Sequence, residues 1–118
     1  MREPPAIESY GGGGFRVAGA WRPGSLLILG DEPRSWRPAS FADLRVDDFA
    51  EVFAAPRGAV EFVLLGAGER QALPPRPIRD ALRAAGLGLE FMATEAAART
   101  HNVLASQGRL FATALIAI

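Results

Sequence analysis

The chain has 118 residues, the usual size of a single domain, and can bury roughly 65% of its unfolded surface. Its 13 basic residues balance 13 acidic ones, and zero net charge excludes the basic surface that nucleic acid requires. Cysteine is absent, which excludes disulfides, a thiolate nucleophile and a cysteine-ligated zinc site. We expect a flexible N-terminal tail at residues 1–6, followed by one domain at residues 7–118.

The first part of that domain predicts short strands separated by turns. Strands predicted at residues 7–10 and 15–17 flank a run of four glycines. The turn dipeptide Pro23-Gly24 precedes a fully apolar strand at residues 26–29. The strands on either side of this turn predict an N-terminal hairpin.

The middle of the chain predicts a loop, a helix and a buried strand. Residues 31–39 contain two prolines and predict a loop. Ser40 is a predicted helix cap, because apolar residues follow it at helical spacing as far as Phe53. Residues 60–65 end in an uninterrupted apolar run, which is typical of a central strand.

The next segment predicts the clearest helix of the chain. It opens at Pro77, ends at Gly86, and carries one apolar stripe at i, i+3, i+4 and i+7. The stripe consists of Ile78, Ala81, Leu82 and Ala85. A strand is predicted to follow at residues 89–92.

The C-terminal part predicts a third helix, which Thr94 caps and Gly108 ends. Its predicted buried face comprises Ala96, Ala97, Thr100, Val103 and Leu104. Residues 110–118 are apolar on both faces and predict an interior strand. The alternation of strands and helices predicts a mixed α/β domain whose helices pack on a central mixed sheet.

Six short segments, in this order, resemble those of one protein family over residues 7–118. They are Tyr10-Gly11 with Phe15-Arg16-Val17; Gly24-Ser25-Leu26-Leu27; Leu64-Leu65-Gly66-Ala67-Gly68; Gly86-Leu87-Gly88-Leu89-Glu90-Phe91-Met92; Arg99-Thr100-His101-Asn102-Val103-Leu104; and Ala114-Leu115-Ile116-Ala117-Ile118. The family is the domain of unknown function 498/598, or Mth-938-like domain, whose mitochondrial member is an assembly factor of respiratory complex I. The chain departs from the family pattern at Ala67, Ala93, Ala98 and His101, where threonine, aspartate, cysteine and an aromatic residue are usual.

The resemblance implies a three-layer β/β/α fold and a non-enzymatic interaction or assembly role. It implies protein partners among membrane-complex subunits, in complex I assembly or inner-membrane protein biogenesis. In alphaproteobacteria, genes of the family often lie beside genes for accessory subunits of the secretion translocon, and such subunits are a second class of expected partner. The N-terminal residues show no apolar signal segment, and no apolar stretch reaches the ~20 residues that span a bilayer. We therefore expect a cytoplasmic location, peripheral to the inner membrane, without a membrane span.

A small-anion or metabolite site is the alternative functional hypothesis. Gly66 and Gly68 follow a central strand, and ligands of open α/β sheets bind at the carboxyl ends of strands. Glycines allow an anion to approach backbone N–H groups, and arginine supplies positive charge. The residues predicted for this site, besides the two glycines, are Arg76, Arg99 and Asn102.

The sequence shows no recognisable catalytic, metal or cofactor site. His101 is the single histidine, and no serine lies in a nucleophile-elbow motif that would partner it. We interpret His101 as a residue at the edge of its helix's buried face. The four glycines at 11–14 lack the lysine of a P-loop and the third glycine of a dinucleotide fingerprint, and they predict a turn.

The two tryptophans are the candidate partner-binding residues. Trp21 lies beside the predicted hairpin, and Trp36 lies in the predicted loop. An exposed tryptophan is a typical anchor of protein interfaces, whereas a buried one belongs to the core. The sequence leaves both interpretations open.

Overall fold

A computed structural model describes residues 3–118 and contains two sheets and three helices. The strands are β1 Ile7–Tyr10, β2 Gly14–Val17, β3 Ala20–Pro23, β4 Ser25–Leu29, β5 Glu32–Trp36, β6 Phe62–Gly66, β7 Gly88–Met92 and β8 Phe111–Leu115. The helices are α1 Ala50–Phe53, α2 Arg76–Ala84 and α3 Thr94–Ser106, and 3-10 turns lie at Phe41–Asp43 and Val46–Phe49.

The larger sheet is mixed and has the strand order β5-β4-β8-β6-β7. Strands β6, β7 and β8 run parallel, and β4 is antiparallel to both β8 and β5. The smaller sheet is an antiparallel meander of β1, β2 and β3. The predicted mixed α/β class, with a second sheet beside the central one, is confirmed.

Strand β8 lies in the middle of the larger sheet, and all five of its residues are buried. Its small residues Ala112 and Ala114 face one side, and Phe111, Thr113 and Leu115 face the other. The prediction of an interior strand is therefore confirmed, although the strand itself ends at Leu115.

Apolar side chains fill the space on both faces of the larger sheet. On one face, β1, β2 and α3 cover a core that includes Phe15, Leu64 and Ala97. On the other face, α2 and the segment around α1 cover a second core that includes Phe49 and Leu82. A sheet covered on both faces explains why β4, β6 and β8 are apolar without alternation.

The predicted loop at residues 31–39 contains an edge strand, β5, which forms a hairpin with β4. Proline is tolerated on an edge strand because one side of the strand has no ladder to join, and Pro33 lies in this position. The predicted N-terminal hairpin also pairs differently. Strand β2 pairs with β3, and β4 joins the larger sheet instead.

The single helix predicted from Ser40 to Phe53 is two 3-10 turns followed by the one-turn helix α1. The Ser40 side chain makes no capping hydrogen bond. The Asp48 carboxylate instead accepts a 2.8 Å hydrogen bond from the Arg45 N–H and organises the second turn.

The predicted stripe of α2 is confirmed at Ile78 and Leu82, whereas Ala85 lies outside the helix and is exposed. In α3 the buried face is rotated from the predicted one. It contains Thr94, Ala97, Ala98, His101 and Ala105, and it leaves Val103 exposed.

Candidate functional site

The carboxyl ends of the parallel strands β6, β7 and β8 lie together at one end of the larger sheet, and Gly66 and Gly68 lie there. A shallow depression of about 410 Å³ opens there. Its lining residues are Tyr10, Gly11, Gly68, Glu69, Glu95 and Ile118. This depression is the place where the sequence predicts an anion site.

The backbone N–H groups after β6 have partners within the chain. The Ala67 N–H donates to the Met92 carbonyl at 2.8 Å, and the Gly68 N–H donates to the Thr94 hydroxyl at 2.9 Å. The Thr94 hydroxyl in turn donates to the Ile116 carbonyl at 2.7 Å. These bonds join the three parallel strand ends and leave neither N–H group free for an anion.

The charges around the depression also disfavour an anion. Glu69 and Glu95 both line it. Arg99 donates to Glu95 at 3.0 Å and to the Tyr10 hydroxyl at 3.4 Å, and the Glu95 hydrogen bond raises the pKa of Arg99. The one predicted cation near the depression is thus paired with a carboxylate.

Of the five residues predicted for the anion site, Gly68 alone lines the depression. Arg76 and Asn102 have other partners. Arg76 starts α2 and approaches Asp80 at 4.0 Å on the helix surface. The Asn102 side chain accepts from the Ile7 N–H at 2.8 Å and donates to the Ile7 carbonyl at 2.9 Å. The Asn102 amide thus bonds to the backbone of β1 at Ile7 as a neighbouring strand would. The geometry does not favour the predicted anion site.

His101 is fully buried in the middle of α3, not at the edge of its buried face as predicted. The Pro5 carbonyl, 2.8 Å from Nε2, can only accept a hydrogen bond, so Nε2 carries the proton. Nδ1 then accepts from the Thr113 hydroxyl at 2.7 Å. Burial lowers the pKa of His101, and the imidazole is neutral at pH 7.

Pro5, which bonds to His101, lies within the segment predicted as a flexible tail. The chain is held by α3 at Pro5, and residues 1–2 lie outside the described residues. His101 thus supports the fold by joining α3, β8 and the segment before β1.

Trp36 belongs to the core and is 7% exposed. Its indole N–H donates to the Asp48 carbonyl at 2.8 Å, and its ring packs edge-on against Phe49 with the centroids 5.6 Å apart. The hypothesis that Trp36 is an accessible partner-binding residue is therefore wrong. β5 turns its ring toward the 3-10 turn Val46–Phe49.

Trp21 is exposed over 44% of its surface on the outer face of the smaller sheet, opposite Arg16. A Cβ atom placed on Gly14 would lie 2.8 Å from Cζ2 of the indole, so the ring rests directly on the glycine backbone. One side of the ring thus packs on the sheet, and the rest is accessible. Of the two tryptophans, Trp21 is the accessible one.

Two buried hydroxyl groups have structural roles that the sequence did not predict. Thr94 was predicted to cap α3, but the N-cap residue is Ala93 and no side chain caps the helix. Thr94 joins the three parallel strand ends. Ser25 Oγ donates to the Pro38 carbonyl and accepts from the Ala117 N–H at 3.0 Å. Neither hydroxyl lies inside an apolar run, since Ser25 follows Pro23-Gly24 and Thr94 precedes Glu95, so neither role has a local signal in the sequence.

The fold is that of a mixed two-sheet α/β domain, and in residues 3–118 no helix is long and apolar enough to cross a membrane. Residues 7–116 match the family described as "Protein of unknown function (DUF498/DUF598)". The chain belongs to this family.

Comparison with known proteins finds relatives in bacteria and in mammals. An uncharacterized protein of Rhodobacter capsulatus is 38% identical over 93% of this chain and 82% of its own length. NADH dehydrogenase (ubiquinone) 1 alpha subcomplex assembly factor 3 of Bos taurus is 33% identical over 98% of this chain. The chain spans 64% of the bovine protein and 59% of the human one.

Solved structures share the fold. A protein described as an outer membrane protein of Bartonella henselae is 29% identical, with a TM-score of 0.87 over 98% of this chain and 96% of its own. A Bordetella pertussis protein described as a Mth938-like domain is 27% identical, with a TM-score of 0.77 over 98% and 90%. The predicted family and fold are confirmed.

Proposed function

We propose that this chain is a non-enzymatic interaction module that acts in the assembly of inner-membrane complexes. Its similarity to complex I assembly factor 3 supports this role, since the similarity extends over 98% of the chain. The proposed partners are subunits of membrane complexes or accessory proteins of the translocon. The proposed place of action is the cytoplasmic side of the inner membrane, without insertion.

The observation that carries the proposal is the exposed indole of Trp21, which packs against Gly14. Burial of an aromatic ring at an interface stabilises a complex most when the ring loses little conformational freedom on binding. The packing of Trp21 on Gly14 restricts the ring before any partner arrives. Arg16, its cross-strand neighbour, adds a planar cation to the same surface.

A second support is that polar side chains able to take part in catalysis or ligand binding form hydrogen bonds within the fold. His101 and Thr94 bond to groups of the fold and are fully buried. Asn102 is similarly engaged by β1. Such groups maintain the domain, and the accessible surface is left to make contacts.

The proposal is tested by affinity purification from detergent-solubilised membranes of the native host. We expect the wild-type chain to retain membrane-complex subunits and Trp21→Ala to lose them while keeping its thermal melt. Phe53→Ala is the matched control, because Phe53 is also an exposed aromatic residue, 36% accessible, but belongs to α1 rather than the smaller sheet. It should retain the partners.

Two results would contradict the proposal. The first is a folded Trp21→Ala chain that keeps every partner. The second is a wild-type purification that contains no membrane-complex subunit above the level of a tag-only control.

A further inference from the structure

The two sheets have four outer edges, and three of them are protected. At the edge of β1, the Asn102 side chain bonds to both backbone groups of Ile7. Strands β3 and β5 contain Pro23 and Pro33, and proline prevents regular pairing along an edge. Strand β7 has no proline or basic residue and ends the larger sheet.

The hydrogen bonds of β7 show which of its backbone groups face outward. The Gly88 N–H donates to the Glu61 carbonyl at 3.0 Å, and the Met92 carbonyl accepts from Ala67 at 2.8 Å. In a parallel pair, alternate residues bond to the neighbouring strand, so the N–H and C=O groups of Leu89 and Phe91 point away from β6. Within residues 3–118 no group bonds to them.

A groove of about 310 Å³ runs along this edge, between β7 and α2. Its apolar lining comes from Leu82, Leu87, Leu89 and Phe91, and its charged lining comes from Arg79 and Arg83. The Arg79 Nε–H donates to the Pro74 carbonyl, and Arg83 forms no ion pair among the described residues. The groove is therefore apolar with a positive rim on its helical side.

The charges favour a foreign strand over a second copy of this chain. Antiparallel pairing of two β7 strands centred on Glu90 would place two carboxylates directly opposite each other, which is destabilising. A foreign strand that places a carboxylate beside Arg83 would instead bring opposite charges together, which is stabilising.

We infer that the β7 edge binds an extended segment of a partner polypeptide as a sixth strand of the larger sheet. Its backbone pairs with Leu89 and Phe91, apolar side chains enter the groove, and at least one acidic side chain lies at Arg83. This inference rests on the proposed interaction function and names the kind of segment that the module binds. It concerns a different surface from that of Trp21.

The probe is a phage-displayed library of short random peptides, selected on the immobilised full chain. We expect the enriched peptides to alternate apolar residues with other residues and to include an aspartate or glutamate. When such a peptide is added, amide exchange followed by NMR should slow about tenfold or more at Leu89 and Phe91. The amides of Glu90 and Met92, which bond to β6, should change little.

Charge reversal supplies the matched control. Arg83→Glu should weaken binding of the selected peptide about tenfold, because it places like charges together at the rim. Arg76→Glu lies on the same helix but outside the groove and should leave the affinity unchanged within about twofold.

Three results would overturn the inference. One is a selection that yields no peptide, and another is peptide binding without slower exchange at Leu89 and Phe91. The third is slow exchange of both amides in the free protein together with a dimer in analytical ultracentrifugation, which would make a second copy the occupant. None of these results depends on the Trp21 purification, so failure of either test is distinguishable.

Discussion

The 2.7 Å hydrogen bond between the Thr113 hydroxyl and Nδ1 of His101 joins α3 to the central strand β8 inside the core. Both side chains are fully buried. The pair therefore contributes to stability mainly through the cost of leaving either partner alone. The structure makes this cost measurable.

Thr113→Val should destabilise the protein by about 1–3 kcal/mol, because it leaves Nδ1 of His101 without a donor. His101→Phe should cost a similar amount, because it leaves the Thr113 hydroxyl unpaired. The double variant should lose less than the sum of the two single variants. Urea unfolding of all four proteins measures the coupling, and strictly additive losses would show that the pair has no energetic connection.

Stability should fall as the pH falls below about 6.5, because burial lowers the pKa of His101 in the folded state. The unfolded chain binds a proton near that pH and the folded chain resists it, so the contribution is complete above 6.5. The expected slope reaches about 1.4 kcal/mol per pH unit for one proton. The double variant His101→Phe/Thr113→Val should lack this slope in urea titrations between pH 7 and about 5.

The salt-bridged carboxylates affect stability at lower pH and do not contribute to the slope measured between pH 7 and about 5. Hydrogen bonds from Arg37 lower the pKa of Asp48 and of Asp43 below the ordinary value of 3.8. Their stabilisation is present above 3.8 and is lost only as the pH falls further. An equal slope in the double variant and the wild type above pH 5 would contradict the assignment to His101.

Thr94→Val should destabilise the protein by about 1–3 kcal/mol, because the Gly68 N–H and the Ile116 carbonyl would both lose their partner. Thr94→Ser keeps the hydroxyl and should recover most of the loss. Thr100→Val on the same helix is the control, since that hydroxyl contacts only the Met92 sulfur at 3.5 Å. Thermal unfolding compares the three, and equal melting temperatures for Thr94→Val and Thr100→Val would refute this role.

Gly14→Ala should destabilise the protein by about 3 kcal/mol or more. The added Cβ would collide with the Arg22 carbonyl oxygen and lie 2.8 Å from the Trp21 ring and 2.9 Å from the Pro23 Cα. Gly12→Asn is the control, because its φ of +69° tolerates asparagine and no atom lies within 4 Å of the new Cβ. Chemical denaturation should show a loss of about 1 kcal/mol or less for the control, and a mild Gly14→Ala variant would mean that β2 and β3 separate easily.

Strong local patterns predicted some elements correctly. The fully apolar end of the segment that forms β6 indicated a strand covered on both faces, and the stripe of Ile78 and Leu82 indicated α2. These signals depend only on the spacing of large apolar residues within one element. Such predictions hold in the folded protein because large apolar residues must be covered by the core, whatever the tertiary arrangement.

Other features depend on contacts between distant segments. Strand β5 contains Pro33 and was predicted as a loop, and its extended form comes from pairing with β4. The orientation of α3 was ambiguous, because alanines on several sides make no single apolar stripe. Val103 was predicted to be buried, but the hydrogen bonds of His101 select a different face.

The sequence by itself determined the mixed α/β class, from the alternation of strands and helices, and the family, from six short segments. It also determined the central place of β6 and β8, because consecutive apolar residues indicate burial on both faces of a strand. Only the tertiary structure decided that Trp36 is core while Trp21 is accessible, and that the amides after β6 are already bonded. The physical reason is that exposure and hydrogen-bond satisfaction are properties of pairs of residues brought together across the chain. Local spacing shows which residues are apolar and favour burial, and long-range contacts determine which of them are buried.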